Sequence, residues 1–97
     1  MQLGQVLGTV VATQRTNSAE GWTLRIVEYL NQHNQPTGKF VIAVDSVGAS
    51  DGEVVLVTTG SAARQNELTA ARPCDAIIMA IVDTWAVHNE VRYTKYA

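Results

Sequence analysis

The chain has 97 residues, enough for one small domain whose core buries roughly two-thirds or less of the unfolded surface. Hydrophobic residues make up 46% and charged ones only 16%, below the roughly 25% of ordinary soluble domains, so part of the surface is expected to be hidden against copies of the chain or partners. The formal net charge of -2, with cationic residues scattered singly, argues against a basic field for phosphates, and no apolar run reaches the roughly 18 residues of a membrane span.

In chain order, the start Met-Gln-Leu-Gly-Gln lacks the cationic and apolar stretches of a signal peptide. Residues 6–13 are short and β-branched, which predicts a strand beginning as early as Leu3, with Gly8 marking a bend or a close backbone approach. Residues 14–21 are mostly polar and are read as a loop, with the second strand following at Trp22. Across 23–30, Leu24, Ile26, Glu28 and Leu30 share one face and Thr23, Arg25, Val27 and Tyr29 the other, a half-buried strand with imperfect alternation. The polar stretch 31–38 predicts a hairpin loop and 39–44 a third strand.

A fourth strand is expected over 53–59. Gly60 ends it, and Ser61 is placed to cap a short helix over 60–65. Pro73 stops the connection that follows. Residues 75–82 are nearly all apolar, which suits a strand buried on both faces and central to the sheet. Residues 88–90 form a turn and 91–96 a final strand. Six short strands with one short helix predict an all-β domain, and without a helix long enough for a parallel crossover the sheet is expected to be largely antiparallel. A chain this short closes its edges most simply as a small, OB-like barrel.

The stretch 44–64 is punctuated by Gly48, Gly52 and Gly60 and has the wording of a ligand loop. Its chemistry differs. A phosphate loop needs Lys and Ser/Thr after its second glycine, and a dinucleotide loop needs a third glycine opening a helix, whereas Gly52 precedes Glu53 and a β-branched run. Asp45, Asp51 and Glu53 lie close in sequence as an acid/base set would, but aspartate also favours turns through local backbone bonding. His33 and His88 sit in polar turns and are read as solvated. Cys74 has only Arg72 near it in sequence to promote a thiolate, and is read as a structural thiol in a reducing, intracellular setting. Ser61 lacks the flanking glycines of a nucleophile elbow. No metal or cofactor set is recognised.

The aromatics are Trp22, Tyr29, Phe40, Trp85, Tyr93 and Tyr96, and the last strand combines two of them with Arg92 and Lys95. Small barrels bind single strands through such interleaving, so an OB-type single-stranded nucleic-acid-binding module is the alternative reading.

Several ordered segments carry a more specific signal: Leu3-Gly4-Gln5-Val6-Leu7-Gly8-Thr9-Val10-Val11-Ala12-Thr13, Ala43-Val44-Asp45-Ser46-Val47-Gly48-Ala49, Gly52-Glu53-Val54-Val55-Leu56, Gly60-Ser61-Ala62-Ala63-Arg64-Gln65 and Ala80-Ile81-Val82-Asp83. Over almost the whole chain these resemble the pentameric vertex proteins of bacterial microcompartments, the group that includes the carboxysome and ethanolamine-utilisation vertex proteins. The resemblance implies one β-barrel domain over 1–97 that forms a homo-pentamer and plugs the vertices of a cytoplasmic shell tiled by hexameric proteins. It implies no catalytic site, cofactor, nucleic acid or membrane. Ser50 stands where the family often has glycine, so the turn there is expected to differ, because serine has poorer access to positive φ. On this reading Asp45, Ser46, Gly48, Ala49, Ser50, Gly52, Glu53, Gly60, Ser61 and Arg64 lie at a subunit interface or an axial opening. Their glycines would allow close approach, and Arg64 would pair with a neighbour's carboxylate or carbonyl.

Overall fold

The computed structural model describes residues 1–10, 23–60 and 76–95. Among them are β1 (Gln2–Val10), β2 (Leu24–Leu30), β3 (Pro36–Asp45), β4 (Val54–Thr59), β5 (Ala76–Ile81), β6 (Thr84–Val87) and β7 (Glu90–Thr94). The first five close into a barrel in the order β1-β2-β3-β5-β4, and β6 and β7 pair as a separate two-stranded sheet. All pairings are antiparallel except β3 with β5, a parallel seam of two rungs, Val44↔Ile77 and Asp45↔Ile78. The expected all-β, largely antiparallel barrel is therefore what the chain forms. The helix expected over 60–65 lies outside the described residues, as do Ser61, Arg64 and Cys74.

The barrel interior is built from Val6, Val27, Ala43, Ala49, Val55, Val57, Ala76 and Ile78, with Tyr29, Val41 and Ile81 packed against them. Strand alternation sends Val44 and Ile77 to the opposite face, where they form a second buried cluster with Leu24. This explains the imperfect alternation of β2: Val27 and Tyr29 point inward while Leu24 is held on the outside. It also makes β5, between β3 and β4, buried on both faces at Ala76, Ile77 and Ile78, as its apolar run predicts.

Gly4 is where strands approach closely. A Cβ there would run into the Val27 side chain and lie 3.2 Å from the Glu28 carbonyl oxygen. Gly8 instead marks a bulge, where the β1–β2 register shifts between Val6 and Gly8 and a Cβ would meet open space. The β2–β3 loop is tighter than predicted because Asn31 closes it. Its Oδ1 accepts the amides of His33 and Gln35 at 2.9 and 3.0 Å, its own N–H donates to the Gln35 carbonyl at 3.0 Å, and Asn34 takes φ 62°. β3 consequently starts at Pro36 rather than Lys39.

The turn predicted at 88–90 is present, and a strand on its N-terminal side, β6, makes it a hairpin. His88 and Asn89 both take positive φ, 52° and 65°, the left-handed pair that matches strand twist. Trp85 stacks on Tyr93 at 5.3 Å, and its Nε1 donates to the Gln32 carbonyl at 2.8 Å, which docks the hairpin on the β2–β3 loop.

Candidate functional site: a braced exposed turn

The segment between β3 and β4 brings together seven of the ten residues singled out in the sequence: Asp45, Ser46, Gly48, Ala49, Ser50, Gly52 and Glu53. Asp45 ends β3 with its side chain only 1% exposed. One carboxylate oxygen accepts the amides of Val47 and Gly48 at 3.0 and 2.9 Å, and the other accepts Arg25 Nε at 3.3 Å. The Arg25 guanidinium reaches on to Thr9 Oγ1 and, at 3.7 Å, to Asp51. Ser46 Oγ donates to the Ile78 carbonyl at 2.7 Å, tying the turn to β5. Ala49 is fully buried and plugs the barrel interior.

Glu53 braces the other end. Its carboxylate accepts the Ser50 amide at 2.6 Å and pairs with Lys95 Nζ at 2.8 Å, which anchors the residue after β7 to the turn. The Lys95 hydrogen bond, followed by the Ser50 amide, holds the Glu53 carboxyl below its ordinary value of 4.5. Gly52 donates to the Val6 carbonyl at 2.8 Å, and Gln5 Nε2 donates to the Gly52 carbonyl at 3.2 Å. The turn is thus fixed from both sides while Val47, Ser50 and Asp51 face solvent.

Three sequence expectations are sharpened here. Gly48 and Gly52 are required for φ of 76° and 88°, and a Cβ on either would meet only open space, so within the chain they serve conformation rather than close approach. Ser50 is not among the residues with positive φ, so the turn is built without a glycine there. Gly60, with φ 66°, sits at the opposite end of β4 from Glu53, roughly 20 Å away by strand rise.

Chemistry-bearing groups elsewhere are engaged in structure. Both oxygens of Asp45 are occupied as described. Arg92 pairs with Glu90 at 3.2 Å, Lys95 with Glu53, and Trp85 stacks on Tyr93, while Tyr96 lies outside the described residues. Tyr29 packs against the core, and burial pushes its hydroxyl pKa up. Among the described residues no group of three or more His, Cys, Asp or Glu is placed to hold a metal ion. The Arg25–Asp45 and Glu53–Lys95 pairs were missed in the sequence, where nothing but the fold makes them neighbours.

Residues 1–83 match the family described as ethanolamine utilisation protein EutN/carboxysome. The chain belongs to the EutN/CcmL family. It is 43% identical over 95 residues to the carboxysome shell vertex protein CcmL of Synechocystis sp., covering 98% of this chain and 95% of that one. The solved structure of CcmL from Gloeobacter violaceus superposes with a TM-score of 0.95 at 39% identity, covering all of both chains. That of GrpN from Rhodospirillum rubrum, described as a pentameric microcompartment shell protein, superposes with a TM-score of 0.81 at 41% identity over 90% of this chain and 99% of that one. The EutN/CcmL fold thus places the braced turn of this chain on a barrel shared by shell vertex proteins.

Proposed function

We propose that this family member is a structural shell protein: it assembles as a homo-pentamer and closes the vertices of a polyhedral bacterial microcompartment in the cytoplasm. The observation that carries the reading is the near-full-length similarity to proteins named as shell vertex proteins, one of them a solved pentamer at 41% identity. A chemical argument runs beside it. Of the residues that sequence alone would nominate for catalysis, Asp45, Asp51 and Glu53, the first and last have their oxygens committed to turn amides and cations, and Asp51 lies in solvent 3.7 Å from Arg25. The protein acts by geometry and is not an enzyme. Its partners are four further copies and the hexameric tiles around a vertex, with no role for nucleic acid or membrane.

A fivefold ring is a closed heterologous assembly, in which each subunit offers two unlike patches. The 45–53 turn suits such a contact because it is exposed yet preformed, so little conformational freedom is lost on docking. Native mass measurement of the purified chain tests the reading: five times the 10.5 kDa chain mass is expected, and a monomer at micromolar concentration overturns it.

A further inference from the structure

The β6–β7 hairpin is attached differently from the strands of the barrel. Each of β1–β5 places at least one side chain in the buried core, among them Val6, Val27, Ala43, Val55 and Ile78, whereas no residue from Val82 to Lys95 is buried. The boundary between the two parts is sharp. The Val82 N–H donates to the Val54 carbonyl at 2.8 Å and so belongs to the barrel, while the Asp83 carbonyl accepts the Lys95 N–H at 2.8 Å and closes the base of the hairpin. Within the hairpin, Thr84 Oγ1 donates to the Tyr93 carbonyl at 2.8 Å and Trp85 stacks on Tyr93.

Polar contacts dock this hairpin. Trp85 Nε1 donates to the Gln32 carbonyl at 2.8 Å, Asn34 Nδ2 to the Arg92 carbonyl at 3.4 Å, and Lys95 Nζ meets Glu53 at 2.8 Å. The second is long, and the third joins side chains that are 23% and 18% exposed, where water and salt weaken the pairing. The Nε atom of half-buried Arg92 is shielded from water without a hydrogen-bond partner, an unmet donor that counts against the docked state.

Segments that bury little apolar area open before the rest of a fold, and they do so as contiguous motifs. We propose that the β6–β7 hairpin is a flap: it lifts off as one unit about a hinge at Val82–Asp83, with the Glu53–Lys95 pair as its latch, while the barrel stays shut. A two-stranded sheet without a neighbour is marginal, so the flap's internal bonds loosen together with its docking bonds. The latch also ties the flap to the 45–53 turn. Glu53 accepts the Ser50 amide with the same carboxylate that holds Lys95, so a docked flap favours the braced turn and a braced turn favours a docked flap.

Hydrogen exchange of the full chain, read residue by residue by NMR with native mass measured on the same sample, tests this. The Trp85 Nε1–H and the Lys95 amide are expected to share one protection factor, roughly 100-fold or more below that of the Val55 amide, which lies in a strand paired on both sides. Lys95→Met is expected to lower the Trp85 value about threefold and leave that of Val55 unchanged. A Trp85 Nε1–H as protected as the Val55 amide overturns the proposal, whether the barrel or a neighbouring copy clamps the hairpin. Unlike values for Trp85 and Lys95 overturn the single unit, and a Lys95→Met variant with an unmoved Trp85 value overturns the latch. Should that variant fail to fold, the wild-type comparison still decides, since it needs no substitution.

Discussion

Removing the Asp45 carboxylate is expected to destabilise the protein by about 2–3 kcal/mol. It accepts two backbone amides in the turn and the Arg25 guanidinium. The amides of Val47 and Gly48 lie beside solvent and can hydrate once released, so each bond is worth about 0.5–1 kcal/mol net. The Arg25 pair, whose side chains are 18% and 1% exposed, adds about 1 kcal/mol, held down because Arg25 keeps Thr9 and Asp51 when Asp45 is gone. Asp45→Asn separates the contributions. Its side-chain oxygen still accepts the turn amides, while its NH2 faces Arg25 Nε, donor against donor, so a loss of about 1 kcal/mol is expected. Urea unfolding at one fixed protein concentration measures both variants, because association couples stability to concentration. The reasoning is refuted if Asp45→Ala lies within about 0.5 kcal/mol of wild type, and the assignment to the turn amides is refuted if the two variants are equally destabilised.

The Glu53 carboxyl titrates below its ordinary value, so the stability it provides is fully present above about pH 4.5 and is lost as pH falls through its lower folded value. Unfolding midpoints measured from pH 6 to pH 3 should therefore fall more steeply for wild type than for Glu53→Gln, and parallel curves would remove Glu53 as the anchor. Gly4→Ala places a Cβ against fully buried Val27 and the Glu28 carbonyl, and thermal unfolding should show a loss of about 1–3 kcal/mol. An unchanged midpoint would mean that β1 and β2 can part freely at that point.

Much of this architecture is written locally. Ala76-Ile77-Ile78 reads as a strand apolar on both faces because the barrel buries both, and the Asp and Gly spacing of 45–52 announces a turn because only φ above zero satisfies it. The four residues of β6 were obscured by their shortness: Thr84-Trp85-Ala86-Val87 gains meaning only through its pairing with β7 across His88 and Asn89. The ion pairs were illegible for a different reason. Arg25 meets Asp45, and Glu53 meets Lys95, through barrel closure and hairpin docking, which no periodicity encodes. Within one chain, close approach belongs to Gly4, while Gly48, Gly52 and Gly60 hold left-handed backbone over open space.

The parallel seam between β3 and β5 has a consequence for how the barrel holds shut. The other seams run for several rungs, whereas this one has two, and Asp45, the last of them, also begins the braced turn. A cylinder joined at one short weld opens there first, since two rungs offset little of the entropy of bringing distant chain segments together. The Arg25 clasp and the Ser46–Ile78 bond act as the rivets of that weld. If, as proposed, the turn meets a neighbouring subunit, the ring would slow the opening of each barrel at this seam.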